Sequence, residues 1–427
     1  MIEKTRQLLK TRYRISDELL DLHDRVLEEL APELSYYDEI REYNQLKVTR
    51  AFHEERISDS MFSMSSGYGY GDLGRDKLDA VYARVFGAES ALVRPHFVNG
   101  THAITAALFG NLRPGDTLMT ITGRPYDTLH NVIGIGSKKN VGSLMDYGVN
   151  YLEVDFKDGL PDKETIRQML AEHDVKMVHI QRSTGYSWRP SMNLTVMAGI
   201  IRFVKEQKDD IIIFVDNCYG EFIETVEPTE LGADLIAGSL IKNPGGSIAP
   251  TGGYIAGRAD LVEQAAYRLT VPGIGGECGS TFGVTRLMFQ GFFLAPHISM
   301  EAVKGAIFCA RLMEHLGYEV KPRATERRTD IIQAIRFGEP GKLIRFVKGI
   351  QYGAPVDSFV ECEPWDMPGY DDQVIMASGS FIQGSSIELS CDAPIREPYI
   401  AYLQGGITFD HARTGILIAV SNTLKQE

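Results

Sequence analysis

Between Ser90 and Ala256 the chain repeats one pattern: a short apolar run, a turn, then a stretch with helical spacing. Seven runs read as strands, at 91–94, 117–121, 151–154, 176–180, 211–215, 234–238 and 253–256. Helical spacing fills most intervals, as at 101–109, 163–172 and 195–205. Strands that are apolar throughout must be covered on both faces, and alternation with helices makes the sheet mostly parallel. The expected fold is therefore α/β, a seven-stranded mostly parallel sheet with helices on both faces. Ligands of such sheets bind beyond the carboxyl ends of the strands, so the turns that follow the strands are where chemistry is sought.

Two strand ends stand out. The run 211–215 ends in Asp216, and the run 234–238 is followed by Ser239 and then Lys242, before Pro244-Gly245-Gly246 breaks regular structure. A lysine so near a buried strand end is costly unless it reaches solvent or has chemical work. Alone it reads as a rim residue. With Asp216 it supplies two parts needed to hold pyridoxal phosphate: an amine for a Schiff base, and a carboxylate that keeps the ring nitrogen protonated.

Three further turns bear on this. Asn99-Gly100-Thr101 opens a helix whose free N–H groups suit a phosphate, or it is a plain cap. Tyr126, in the turn after the second strand, lies flat on an aromatic ring or is a loop tyrosine. The segment 181–190, with Arg182, Tyr186, Trp188 and Arg189, is a polar-aromatic loop that fits a binding site.

The flanks differ in texture. Residues 1–58 carry leucines at helical spacing among charges and read as a helical arm, interrupted at Pro32. Residues 59–297 form the large domain. Residues 298–427 read as a small α+β domain, with strands at 331–337, 374–377 and 386–391 and a last helix at 410–420. Apolar helices are expected at 282–295 and 299–316, separated at Pro296. Gly69 to Gly74 spell a dinucleotide fingerprint, but no convincing strand precedes them, so the match is rejected. The alternative is a loop presenting Tyr68, Tyr70 and Arg75.

A net charge of −13 over 427 residues argues against a nucleic-acid face. Five scattered cysteines without a CxxC read as free thiols in a reducing compartment. No apolar leader follows Met1 and no run reaches membrane-crossing length, so a soluble cytoplasmic protein is expected. Histidines and cysteines show no metal-ligand spacing, so no metal is expected.

Taken in order, these motifs resemble those of fold-type-I pyridoxal-phosphate enzymes. Within them the chain is similar to the cysteine/methionine metabolism group, the cystathionine lyases and methionine γ-lyase. It most resembles the bacterial aluminium-resistance, cystathionine β-lyase-like family, over nearly all of the chain after residue 60. The resemblance implies pyridoxal 5'-phosphate as cofactor, Lys242 and Asp216 as above, and Tyr126 stacked on the ring. It implies that Asn99, Gly100, Thr101 and Ser239 hold the phosphate. Tyr68 and Tyr70 sit where the group has a Tyr-x-Arg that reaches the cofactor of a neighbouring subunit, which implies a homodimer or homotetramer with shared sites. Three departures stand: Tyr70 replaces the arginine, 181–190 lacks the group's asparagine, and Glu388-Leu389-Ser390 replaces the Arg-Leu-Ser that clamps the substrate carboxylate. Arg396, with Tyr68, is then assigned to the substrate. The implied activity is β- or γ-elimination from a sulfur-containing amino acid. The alternatives are an aldolase, transaminase or racemase, or a cofactor-binding stress protein with little turnover.

Overall fold

The computed structural model describes residues 1–367, 370 and 372–425. Two units divide them: Tyr43–Pro296, and Met1–Glu42 together with His297–Glu427.

The first unit is built on β1 (Ser90–Arg94), β2 (Thr117–Thr120), β3 (Asn150–Glu153), β4 (Val175–Gln181), β5 (Ile212–Asp216), β6 (Leu235–Ser239) and β7 (Gly253–Gly257). These match the seven expected runs to within one or two residues. Their order is β1-β7-β6-β5-β4-β2-β3. Neighbours from β3 to β6 pair in parallel, while β7 runs antiparallel between β6 and β1. Alternate side chains enter two apolar layers. Met177, Phe214, Leu235 and Ile255 pack with Ala103 and Ala107 of the helix Gly100–Asn111. Val178, Ile213, Ile236 and Tyr254 pack on the other side with Met197, Ile201, Phe289 and Phe292. Each fully buried aliphatic or aromatic side chain contributes about 1.5–3 kcal/mol, which is why these strands carry no polar alternation. The registers set Gln181 level with Asp216, and Asp216 level with Ala237.

The second unit contains β8 (Glu319–Lys321), β9 (Gln333–Arg336), β10 (Val374–Ala377), β11 (Ser390–Pro394) and β12 (Ile400–Gln404). They form an antiparallel sheet in the order β8-β9-β12-β11-β10. The strand expected at 386–391 lies four residues later at its start. Helices Pro340–Gly353 and Phe409–Leu424 pack closely, since a Cβ on Gly349 would lie 2.4 Å from Ala419 Cα.

Three expectations are corrected. Pro32 and Pro296 do not end helices: Asp17–Glu54 and Thr285–His315 run through them. An internal proline costs about 3 kcal/mol, and burial on both sides offsets it, through Val26, Leu30, Tyr37 and Ile40 around one and Phe292, Ala295, Met300 and Val303 around the other. The arm 1–58 is not a separate body. Its first 42 residues belong with the C-terminal unit, where the His23 ring meets Phe308 at 5.5 Å, Glu29 pairs with Arg311 at 2.6 Å, and the Arg328 amide donates to the Tyr37 hydroxyl at 2.7 Å. Finally, Thr285–His315 is long and apolar enough to cross a membrane, although most of its apolar window is buried within the protein, as in a core helix.

The turn after Lys242 packs on that helix through glycines. Gly246 adopts φ +53°, and a Cβ on Gly291 would lie 2.2 Å from the Gly245 carbonyl. Gly291→Ala is expected to lower stability by about 1–3 kcal/mol. Gly199, inside the helix Leu194–Gln207, has open space around it, so Gly199→Ala is expected to raise stability by up to about 1 kcal/mol. Urea unfolding of the two variants checks both signs.

Candidate active site

The strand ends and turns converge at one edge of the large sheet. Asp216 closes β5 at 5% exposure, with its Oδ1 accepting from the Cys218 amide at 3.1 Å. Among the described residues no lysine or arginine is paired with it directly. A buried carboxylate requires a charged or hydrogen-bonding partner, and a protonated ring nitrogen supplies one.

Lys242 follows β6 and is partly buried, with its amine 4.0 Å from the centroid of the Tyr219 ring. Burial works against the ammonium form, but the acidic surroundings of Cys218, Tyr219, Asp216 and Glu221 outweigh it and raise the amine above its ordinary range. Ser239, at the end of β6, accepts from the Ile241 amide at 3.3 Å. A Cβ on Gly100 would lie 2.9 Å from Ser239 Cβ and 3.5 Å from Cys218 Sγ. Glycine thus lets the helix N-terminus close on β6. Asn99 caps that helix by accepting from the His102 amide at 2.9 Å, so the plain-cap reading holds for its side chain. The Gly100 and Thr101 amides remain for an anion. The Thr101 and Thr128 hydroxyls lie 2.9 Å apart, bringing in the turn after β2.

Tyr126 starts the helix Asp127–Ile133, with its amide donating to Gln181 Oε1 at 2.7 Å. Its ring meets Tyr186 edge-to-face at 5.4 Å. Gln181 thus ties β4 to the Tyr126 turn. Gln181 opens the 181–190 loop expected to fit a binding site but has no role of its own in that expectation, and Tyr219 is not singled out from sequence. The spacing Asp216-x-x-Tyr219 could have flagged the second, because it returns a ring to the strand end.

Other expected residues lie differently. Tyr68 and Tyr70 are 70% and 67% exposed and stack on each other at 5.4 Å. Among the described residues no hydrogen bond or ring contact ties them to Lys242, Ser239 or Asp216. Arg75, expected to be presented, is buried instead and donates to the carbonyls of Gly69 at 2.7 Å and Gly279 at 3.3 Å. It welds the two glycine loops together. Arg396 sits in the second unit, half-exposed and paired with Asp372 at 2.7 Å. Glu388, where an arginine would clamp substrate, accepts from the Phe381 and Ile382 amides at 2.8 and 3.0 Å. Among the described residues no cluster suited to a metal ion occurs.

An amine, a buried carboxylate lacking a cation and an open helix N-terminus beside a serine fit pyridoxal 5'-phosphate at its aldehyde, ring nitrogen and phosphate. Fold and site together define a fold-type-I pyridoxal-phosphate enzyme. The chain belongs to the methionine gamma-lyase family, whose model matches residues 19–424. A solved carbon-sulfur lyase involved in aluminum resistance from Clostridium novyi NT is 63% identical, covers 99% of each chain and superposes with a TM-score of 0.95. The uncharacterized protein YnbB of Bacillus subtilis is 47% identical over 98% of this chain and 97% of its own. L-methionine gamma-lyase of Pseudomonas putida is 25% identical over 47% of this chain and 45% of that enzyme.

One buried group yields a pH prediction. His179 lies two residues before Gln181 in the same layer, and among the described residues neither ring nitrogen has a hydrogen-bond partner. Burial pushes its pKa down to about 4, with Asp216 pulling weakly upward. The unfolded chain takes up a proton near 6.5 and the folded one does not. Stability present above that pH is therefore lost as pH falls toward 4, by at most about 3 kcal/mol. His179→Leu is expected to flatten that acid limb in thermal unfolding recorded from pH 4 to 7.

Proposed function

We propose that this protein is a carbon–sulfur lyase that eliminates a thiol from the β- or γ-carbon of a sulfur-containing amino acid. The observation that carries this reading is the meeting of the Lys242 amine, the Asp216 carboxylate and the Gly100 helix N-terminus at one sheet edge. The bound cofactor supplies an electron sink for charge developing at the substrate Cα. Lys242 would hold the cofactor through its amine, and the same amine would take and return the Cα proton. The Asp216 carboxylate, 5% exposed, would face the ring nitrogen. Ser239, Thr101 and the amides of Gly100 and Thr101 would hold the phosphate, and Tyr126 would lie over the ring. The family and the named relatives support sulfur chemistry over aldol cleavage, transamination or racemisation, which the same lysine and carboxylate also serve.

Arg396 is the proposed clamp for the substrate carboxylate, exchanging Asp372 for it in a charge-assisted pair. The exposed Tyr68–Tyr70 stack is proposed to complete the site of a second copy, making the active protein a homodimer or homotetramer. Borohydride treatment followed by peptide mapping is expected to fix the cofactor on Lys242. Lys242→Ala is expected to lose at least about 10²–10⁴-fold in kcat while folding normally. A panel of cystathionine, methionine and cysteine is expected to release a keto acid with a thiol. Label on another lysine, or turnover without thiol release, defeats the proposal. A fully active monomer in sedimentation defeats the shared site.

A further inference from the structure

Behind β6, on the side away from Ser239, lies a second buried polar set that the proposed chemistry does not use. Gly238 faces it, and a Cβ there would lie 2.5 Å from Glu221 Oε1 and 2.5 Å from Tyr254 Cε1. The glycine lets a carboxyl and a phenol press against the strand that leads to Lys242. Glu221 is 0% exposed. Its Oε1 accepts from the Tyr254 hydroxyl at 2.8 Å, and Oε2 has no hydrogen-bond partner among the described residues. The Tyr254 hydroxyl in turn accepts from Asn217 Nδ2 at 3.3 Å, and Asn217 follows Asp216 in the chain. On the other flank Asn243, next to Lys242, donates to the carbonyls of Tyr219 at 3.1 Å and Glu221 at 3.0 Å. The lysine segment and the Glu221 loop are therefore pinned together. A buried acid with one unsatisfied oxygen costs about 1–3 kcal/mol, and packing alone gives no reason to keep it.

We propose that Glu221 is a positioning residue for Lys242, a buried acid whose charge state sets how readily the lysine amine gives up its proton. This role rests on Lys242 being the residue that bears the cofactor. Burial, with repulsion from Glu227, pushes the Glu221 carboxyl up to about 8, against the pull of Tyr254 and Lys242. The groups facing it are Tyr254 on β7, Tyr82 on the helix Leu73–Val85, Glu227 on its own loop, and Cys218 and Lys242 at the site. Burial holds both phenols and the thiol neutral, while Arg182 and Lys47 offset Glu227. Tyr219 and Asp216 also act on the amine, and beside them Glu221 is the acid whose carboxyl burial pushes up to about 8. Above pH 8 its carboxylate favours the ammonium; below, the neutral acid releases it.

The full-length protein stripped of cofactor tests this, with pyridoxal 5'-phosphate uptake followed by absorbance from pH 6 to 10. Wild type and Glu221→Gln are expected to match near pH 7. Above pH 8 the variant is expected to be about threefold faster, equivalent to half a unit in the amine's proton affinity. Tyr254→Phe removes a donor to the ionised acid, so its profile is expected to move toward that of Glu221→Gln. It carries the test if the glutamine variant does not fold. Thermal unfolding of the stripped protein is a second readout. With a folded value of about 8 against 4.5 unfolded, Glu221 contributes stability at low pH that is lost as pH rises through 8. Glu221→Gln is expected to lack that decline. Superimposable uptake profiles in folded variants overturn the role of Glu221. A wild-type protein that takes up no cofactor overturns instead the reading of the site.

Discussion

A carboxylate at the end of a buried parallel strand governs this structure. Asp216 is removed from water, accepts a backbone amide, and has no cation directly paired with it among the described residues. Desolvating such a charge costs several kcal/mol even after relaxation. The sheet holds it there because β4 and β6 flank β5 in fixed register, with Gln181 and Ala237 level with it. Everything needed to bind a cationic ring with a phosphate tail is arranged around that one unfavourable group.

Two glycines divide the surroundings of β6 into a front and a back. Gly100 opens the front, so that a helix N-terminus meets Ser239 and an anion finds amides. Gly238 opens the back, so that Glu221 and Tyr254 lie under the strand. A side chain at either position would push one partner away from the segment carrying Lys242. The strand thus separates a face suited to ligand from a face suited to controlling charge.

The large sheet was legible because its strands are apolar throughout, and Asp216 and Lys242 were legible because a charge that ends such a run is anomalous. Gln181 was legible only as the start of the 181–190 loop, since its role lies in its level with Asp216 and its bond to the Tyr126 turn, both cross-chain facts. Tyr219 reads as loop until the chain turns back over Lys242. Arg75 looked presented because its neighbours are glycines and tyrosines, yet the carbonyls it satisfies belong partly to a loop some two hundred residues away. Pro32 and Pro296 carried local breaking signals that tertiary burial overrode. The small domain was the least readable: β8 has three residues, and β12 is identifiable only by its pairing with β9 and β11.

The first 42 residues belong with those from His297 onward, while the end of the second helix, through Val48 and Ala51, packs in the central unit. The Tyr43–Pro296 unit contains its own sheet and both of its apolar layers, so it can close as soon as it has been synthesised. Leu9, Leu19, Leu20, Val26 and Leu30, buried in the finished protein, have nothing to cover them at that stage. On the ribosome the N-terminus is an apolar strip in waiting, and contacts this distant in sequence form slowly. Residues up to Glu42 and those from His297 onward close one unit together, so segments made early are among the last to settle.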